Sequence, residues 1–369
     1  MSNPSLSLLA PAKLNLALEV TGKVINGKHQ LHSVFTTIDL YDRLTVSLIP
    51  EAPPAVLIDM SYAPELPTLE LPVGENTVYR AVQAFERQAG TRLWGELRIS
   101  VEKHIPSESG LGGSSSDAAS ILLALGRLYP QLAAPGVIER AAVSVGADVS
   151  FFLSGVSSNH GAPGCGQDRS DSPSPAVSKI AGQARNDRVL AADRAVQGGN
   201  ERALGIYRHF PSGGCALMAG AGERLVRHLR QPPFDILLVK ASKGVSTAAA
   251  YQEFDRHPEP AKPLEALVSL LADEHGNAPQ ATVELPPNSV TPDALAPLLS
   301  NNLAAAACRL APEITAVIFR LSQQPGVLKA QLTGSGSVVF GLCVNRQAAI
   351  NAARPFAAAG LWVRVVRTV

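Results

Sequence analysis

Along residues 14–20 (LNLALEV), apolar side chains occupy every even position, which is the two-residue period of a half-buried β-strand. A second β-rich pattern covers 34–48. In residues 96–106, apolar and polar side chains again alternate, and a glycine-rich stretch follows. The proline-rich residues 51–75 between them predict a loop or irregular edge structure. These patterns predict that the first hundred residues build a sheet.

Apolar residues at helical spacing predict helices over 76–88, 114–129, 136–145, 246–254, 263–272, 301–310 and 312–323. Further strands are predicted at 151–153, 235–240, 329–332, 338–344 and 361–366. Strands and helices alternate without the strict repeat of a doubly wound parallel sheet. The pattern therefore predicts an α+β protein of two domains, residues 1–228 and 229–369.

Residues 156–213 interrupt this pattern. They are rich in Gly, Ser, Pro, Asn, Asp and Arg, and apolar residues are sparse up to Val177. A segment of this composition buries little apolar surface, so we expect a disordered insertion. If the flanking FFLSG and GCALMAGAGERL pair as strands, the insertion lies at a hairpin tip, where chains tolerate extra residues best.

Charge and cysteine content narrow the classes of function. The chain of 369 residues has 32 basic and 31 acidic residues, which does not favour nucleic acid or an acidic membrane surface as a partner. The four cysteines form no CxxC pair, so we expect neither a zinc site nor a disulfide framework. With no basic segment before the first apolar residues and no apolar run of membrane-spanning length, the interpretation is a cytoplasmic protein.

The glycine-rich stretch IPSESGLGGSSSDAA, residues 105–119, lies between a predicted strand and the start of a predicted helix. Such a loop directs backbone N–H groups and the positive end of a helix dipole at one point, as in phosphate sites. It also fits an ordinary capped turn, because Ser and Asp are good N-cap residues. It lacks the lysine of a P-loop and the third glycine of a dinucleotide fingerprint.

Two charged residues have both an ordinary and a chemical interpretation. Lys13 is either a solvated lysine on a strand or a cation beside a transferring phosphoryl group. Asp148 in VGADVSFF is either a turn residue or a general base, which would need both a lysine and an acceptor hydroxyl beside it.

Two other motifs also allow both a structural and a functional interpretation. The segment 333–337, TGSGS, is either a plain hairpin or a second wall of a phosphate pocket. His29 is either a surface turn residue or a hydrogen-bond partner for a base or a sugar.

Five blocks of the chain, in order, resemble the GHMP kinase superfamily, and most nearly its 4-diphosphocytidyl-2-C-methyl-D-erythritol kinase branch. The blocks are APAKLNLALEVTGKVINGKHQLHSVF, IPSESGLGGSSSDAA, GADVSFFLSG, VKASKGVSTAAAYQEFD, and NNLAAAACRLAPEI followed by QLTGSGSVVFGL. The resemblance implies an N-terminal domain like one of a ribosomal protein, a ferredoxin-like C-terminal domain, and an active site between them. The reaction it implies is transfer of the ATP γ-phosphoryl group to the 2-hydroxyl of 4-(cytidine 5′-diphospho)-2-C-methyl-D-erythritol, in isoprenoid precursor synthesis, with Mg²⁺ accompanying ATP.

The resemblance also implies roles for residues. Asp148 would be the base and Lys13 its partner, with Asn15, His29 and Thr247 on the substrate side. The ATP phosphates would be held by Pro106, Ser107, Glu108, Ser109, Gly110, Leu111, Gly112, Gly113, Ser114, Ser115 and Ser116. The partner is a small molecule, and the protein is expected to be a monomer or a weak homodimer.

The chain departs from the family's usual pattern at several positions. Glu108 stands where a glycine is usual and Lys28 where an aromatic residue is usual, so we expect weakened ATP or cytidine binding. Two alternatives follow: another GHMP kinase acting on a different alcohol, and a non-catalytic binding protein, either a degenerate kinase or an RNA-binding relative of the ribosomal fold. Loss of Lys13 or Asp148 would favour the non-catalytic alternative, but the sequence retains both.

Overall fold

The computed structural model describes residues 3–25, 27–154, 214–230, 233–272 and 290–369. The described parts of Met1–Val156 and Tyr207–Val369 belong to one compact unit. The predicted insertion at 156–213 lies outside the described residues.

The strands are β1 (Ser5–Ile25), β2 (Lys28–Ile49), β3 (Ala55–Tyr62), β4 (Glu96–Lys103), β5 (Cys215–Gly220), β6 (Arg224–Leu229), β7 (Asp235–Lys240), β8 (Ser300–Asn301), β9 (Val327–Leu332), β10 (Val338–Cys343) and β11 (Val363–Arg367). The helices are α1 (Thr77–Ala89), α2 (Gly113–Leu128), α3 (Val137–Val145), α4 (Val149–Leu153), α5 (Thr247–Arg256), α6 (Glu265–Leu271), α7 (Pro292–Leu295), α8 (Ala304–Leu310), α9 (Pro312–Ser322) and α10 (Arg346–Ala358). This mixture confirms the predicted α+β class.

A seven-stranded sheet forms around the long antiparallel pair of β1 and β2. Its order is β3-β4-β2-β1-β8, and β5 pairs with β2 and with β6. Helices α1 to α4 pack against this sheet, and residues such as Leu97, Phe85 and Leu122 form the core beneath them. The loop from β4 to α2 therefore leaves the sheet next to its central strands.

A second sheet of four antiparallel strands has the order β11-β7-β10-β9. Helices α9 and α10 pack against it through buried residues such as Leu321 and Phe356. Another core, containing Leu14, Ile236 and Phe340, joins this sheet to β1. The two sheets thus meet close to the middle of β1.

The middle of β1 is irregular, and this decides where its polar side chains lie. The register between β1 and β2 shifts between Pro11 and Ala12. Leu8, before the shift, packs in the core under α1 to α4, whereas Leu14, after it, packs in the core next to the second sheet. Because side chains alternate along a strand, Lys13 and Asn15 lie opposite Leu14, on the side of α2 and α4.

Three local predictions were wrong or incomplete. Residues 55–62, predicted as part of a loop or irregular edge structure, form β3, a regular edge strand paired in parallel with β4. Residues 151–153, predicted as a strand, lie in helix α4, so the hairpin next to the insertion is β5–β6 alone. Helix α10 was not predicted. Among the described helices, none is long and apolar enough to cross a membrane.

Candidate active site

A cavity of about 350 Å³ lies where β1, the loop after β4, the start of α4, helix α5 and the turn after β9 converge. Of the residues predicted for the site, those that line it are Lys13, Asn15, Pro106, Ser107, Glu108, Ser109, Gly110, Gly112, Gly113, Ser114, Ser115, Asp148 and Thr247. Leu111 and Ser116 lie outside its wall and are fully buried in the protein. His29 also lies outside the wall, next to a residue that forms part of it.

Lys13 and Asp148 form an ion pair on the cavity wall. Lys13 Nζ lies 3.3 Å from Asp148 Oδ2, and the lysine side chain is 4% exposed while the aspartate is 31% exposed. Lys13 Nζ also donates a hydrogen bond to Asn15 Oδ1 at 2.8 Å and lies 4.7 Å from the centre of the Phe35 ring. The interpretation of Lys13 as a solvated lysine is therefore wrong. Burial of an ammonium group is costly unless such partners surround it.

Asp148 owes its position to a short helix that the sequence did not predict. It is the N-cap residue of α4, directly after the chain leaves α3 at Gly146. Phe151 and Phe152 are both fully buried, and the Phe151 ring packs edge-on against Phe35. A helical turn lets two consecutive aromatic residues contact one core, whereas a strand would place them on opposite faces. The helix thus anchors Asp148 while leaving its carboxylate open to the cavity.

The loop from β4 to α2 is held by its backbone on both sides. Lys13 N donates to Leu111 O at 2.9 Å, and Val338 N donates to Ser109 O at 3.1 Å. The N-cap residue of α2 is Gly112, with φ +73°, and no side chain caps the helix. The geometry therefore differs from that of a side-chain-capped turn and leaves the start of α2 facing the cavity.

The segment 333–337 is both a hairpin and a cavity wall. It connects the antiparallel strands β9 and β10, and its Gly334 and Ser335 line the cavity. Thr333 Oγ1 accepts a hydrogen bond from Asn15 N at 3.1 Å, and Ser337 N donates to Glu108 O at 3.0 Å. The turn after β9 thus contacts both β1 and the loop before α2.

Glu108 adopts a left-handed backbone conformation, with φ +48°, and is the non-glycine residue with positive φ in the described part of the chain. Its exposed side chain lies against Gly244, where an added β-carbon would come within 2.4 Å of Glu108 Oε2. Burial lowers the pKa of the nearby Lys240, and the charge of Glu108 opposes that effect. This carboxylate therefore lies on the cavity wall, close to Gly244 and Lys240.

Helix α5 supplies one further wall of the cavity, and one of its residues was missed at the sequence level. Thr247 Oγ1 lies 2.9 Å from Ser335 Oγ. One helical turn later Tyr251 also lines the cavity, and its ring stacks on that of His29 with centroids 4.6 Å apart. Burial raises the pKa of Tyr251, and the nearby Asp148 carboxylate raises it further. Tyr251 follows Thr247 by four residues, so both side chains lie on one face of the helix. This spacing could have identified Tyr251 from the sequence.

Beneath the loop lies a buried group of three ionisable side chains that the sequence analysis also missed. Lys103 Nζ contacts the carboxylates of Asp42 and Asp117, and all three side chains are more than nine-tenths buried. Asp42 Oδ1 accepts hydrogen bonds from the backbone N–H groups of His104 at 2.6 Å and Ile105 at 2.8 Å. Burial raises the pKa of Asp117 to about 7, with the Lys103 charge opposing and the Asp42 charge adding to the effect. These contacts hold the end of β4 and the start of α2 together.

A second cavity, of about 310 Å³, adjoins the first. Lys103, Ser107 and Ser114 line both cavities. The outer wall of the second cavity is largely apolar and comes from β3 and the segment before α1, through Ile58, Met60, Leu69, Leu71 and Val73. In the described part of the chain, no group of three or more His, Cys, Asp or Glu side chains could hold a metal ion by itself.

Comparison with known proteins identifies the family and the fold of this chain. Residues 76–156 match the family "GHMP kinases N terminal domain" and residues 291–360 match "GHMP kinases C terminal". A crystal structure of a 4-(cytidine 5′-diphospho)-2C-methyl-D-erythritol kinase superposes with a TM-score of 0.60 at 28% identity, covering 98% of this chain and 99% of that one. The mevalonate kinase of L. major shares the fold, with a TM-score of 0.57 at 16% identity and coverage of 100% of this chain and 97% of that one.

Full-length sequence relatives point to the same branch. The 4-diphosphocytidyl-2-C-methyl-D-erythritol kinase of Desulfitobacterium hafniense (strain Y51) is 30% identical over 95% of this chain and 91% of its own length. The enzyme of the same name from Pelotomaculum thermopropionicum is 29% identical over 98% of both chains. With its two-domain GHMP kinase fold, the chain belongs to the 4-diphosphocytidyl-2-C-methyl-D-erythritol kinase family.

Proposed function

We propose that this protein transfers the γ-phosphoryl group of ATP to the 2-hydroxyl of 4-(cytidine 5′-diphospho)-2-C-methyl-D-erythritol. The observation that carries the proposal is the ion pair of Lys13 and Asp148, which faces a glycine-rich loop across one cavity. A base, a cation and a phosphate-binding loop are the parts that phosphoryl transfer to an alcohol requires.

Asp148 is the group that accepts the proton of the acceptor hydroxyl. Its carboxylate is partly exposed to the cavity, so an alcohol can reach it, while Lys13 holds its Oδ2. A carboxylate within reach of the acceptor hydroxyl is the group that a general base requires. The ammonium group of Lys13 lies where it can stabilise the negative charge that develops on the acceptor oxygen.

The loop of residues 106–115 is the part that would hold the ATP phosphates. Gly110 and Gly112 both have positive φ and line the cavity, which lets the backbone approach an anion closely. The start of α2 adds the positive end of its dipole at the same place. Mg²⁺ would neutralise charge on the phosphates, and the hydroxyls of Ser107, Ser114 and Ser115 are among the oxygen atoms on the cavity wall that could hold it.

The second cavity fits the nucleoside of ATP. Its outer wall is largely apolar, as suits a purine ring, and it shares Ser107 and Ser114 with the cavity that holds the proposed phosphate site. The acceptor would then approach Asp148 from the opposite side, along Asn15, Thr247 and Tyr251.

A turnover assay with radiolabelled ATP tests this function against the other kinases of the superfamily. We expect phosphorylation of the cytidyl acceptor and little or none of mevalonate or homoserine. Equal or faster turnover of a different alcohol would replace the acceptor that we propose. ATP binding without turnover of any alcohol would favour a non-catalytic protein.

A further inference from the structure

Tyr62, the last residue of β3, places an aromatic ring on the wall of the second cavity. Side chains alternate along a strand, so Ile58, Met60 and Tyr62 share one face of β3, and all three line that cavity. Tyr62 pairs in register with Lys103, which lines both cavities. The ring therefore lies at the end of β3 that is nearest to the loop proposed to hold the ATP phosphates.

The hydroxyl of Tyr62 also holds the next part of the same wall. It donates a hydrogen bond to Leu69 O at 2.9 Å. Residues 67–72 form neither helix nor strand, so they lack the ladder of backbone bonds that orients such elements. Leu69, Leu71 and Val73 nevertheless line the cavity. The bond from Tyr62 therefore helps to fix where these apolar side chains stand.

This wall has the character of a surface that a ligand covers. Leu69, Leu71 and Val73 are between 43% and 63% exposed, and the burial of such apolar side chains by a ligand is favourable. The wall continues, through Ser107 and Ser114, into the proposed phosphate loop. A flat and largely apolar group joined to phosphates fits both parts, and a phenol ring offers such a group a surface for stacking.

We propose that Tyr62 is a binding and positioning residue for the purine of ATP. Its ring is a surface on which the base stacks, and its hydroxyl holds the segment 67–73 beside the base. This inference rests on the proposed function, in which ATP is the donor and the second cavity takes its nucleoside. The acceptor is bound in the other cavity, beside Asp148, so Tyr62 acts on the donor alone.

Two substitutions separate the ring of Tyr62 from its hydroxyl. Tyr62→Phe keeps the ring and loses the bond to Leu69, so we expect ATP binding to weaken about fivefold, as for the loss of one hydrogen bond. Tyr62→Leu loses both, and we expect ATP binding to weaken at least about twentyfold, because stacking on an aromatic ring contributes more. Titration calorimetry measures both affinities. Tyr79→Phe, on α1 and outside both cavities, is the matched control.

Inorganic tripolyphosphate and adenosine distinguish a local effect from general damage to the protein. Tripolyphosphate can occupy the phosphate loop without entering the second cavity, so both variants should bind it as the wild type does. Adenosine affinity should fall as ATP affinity does. In turnover, the KM for ATP should rise while kcat and the KM for the acceptor stay within about twofold. Equal losses of ATP and tripolyphosphate affinity would overturn the proposal.

The remaining outcomes separate this inference from the proposed function. Wild-type ATP affinity in Tyr62→Leu overturns the stacking role, and wild-type affinity in Tyr62→Phe overturns the positioning role. Either result leaves the proposed reaction intact. If ATP binding depends on Tyr62 as expected but the wild type phosphorylates no cytidyl acceptor, the proposed function is overturned and the role of Tyr62 in nucleotide binding is upheld.

Discussion

A β-carbon added to Gly110 would lie 2.1 Å from the carbonyl oxygen of Thr333. Gly110 belongs to the proposed phosphate loop and Thr333 begins the turn after β9, so the two glycine-rich segments meet without room for a side chain. The backbone of Gly110 also has φ +75°, a conformation that other residues rarely adopt. The close approach of these segments is what shapes the cavity.

Gly110→Ala is expected to push the two segments apart. The overlap is with backbone, which cannot swing aside, so we expect a loss of stability of roughly 1–3 kcal/mol and a rise of at least about tenfold in the KM for ATP. Urea unfolding and steady-state kinetics measure the two effects. Gly74→Ala is the control, because an added β-carbon there meets nothing within 4 Å. Similar KM values for the two variants would argue against a phosphate site at this loop.

Asp148→Asn tests the proposed base. The asparagine keeps the shape of the side chain but cannot take the proton, and it loses the charge that faces Lys13. We expect turnover to fall by at least ~10³-fold, with KM values changed much less. Asp59→Asn, an exposed carboxylate on β3, should leave turnover unchanged. Equal turnover of Asp148→Asn and wild type would exclude Asp148 as the base.

Lys13→Met tests whether the two charges act as one unit. A methionine keeps much of the buried stem of Lys13 and removes the ammonium group, so we again expect a large loss of turnover. Because Lys13 and Asp148 are in direct contact, the double variant should be little worse than either single variant. Losses that simply multiply would show that the residues act independently.

Much of the fold could be predicted from the sequence because apolar residues recur at regular spacing in its longer segments. Helix α2 and strand β4 were expected on spacing alone, and both are present. Helix α4 was mistaken for a strand because three consecutive apolar residues fit either structure when the segment is short. Strand β3 was hidden by its neighbouring prolines and by an edge position that buries its residues only in part.

From the residues alone, the sequence predicted only the part of the site that one contiguous segment forms. The loop before α2 is contiguous, so its pattern was visible, and the resemblance linked it to Lys13 and Asp148. The triad of Asp42, Lys103 and Asp117 comes from two strands and a helix, and only the folded chain brings the three charges together. His29 is hydrogen-bonded to Asp255, 226 residues later in the chain, so sequence spacing could not indicate this pair.

Glu108→Gly is expected to improve both stability and ATP binding. Glycine adopts φ +48° without the strain that glutamate incurs, which should stabilise the protein by about 1 kcal/mol. Removal of a negative charge from the cavity wall should also lower the KM for ATP several-fold, since a like charge at 4–6 Å costs on the order of 1 kcal/mol in water-like surroundings. Thermal unfolding and ATP titration measure the two effects.

Glu108→Gln separates the two effects, because it removes the charge and keeps the backbone strain. A higher KM for ATP in Glu108→Gln would mean that the carboxylate assists nucleotide binding.

Asp117 should make the stability of the protein depend on pH between about 4 and 7. Its pKa is raised from 3.8 to about 7 by burial, so in this range the folded state binds more protons at Asp117 than the unfolded state does. This contribution to stability is complete below about pH 4 and is lost as the pH rises through 7. Asp117→Asn is always neutral and can still accept a hydrogen bond from Lys103. The variant should therefore gain stability relative to the wild type as the pH is raised from about 5 to 8, which thermal unfolding across that range measures. If the stability of the two proteins changes with pH in the same way, Asp117 is ionised over the whole range, and the charge of Lys103 offsets the effect of burial on its pKa.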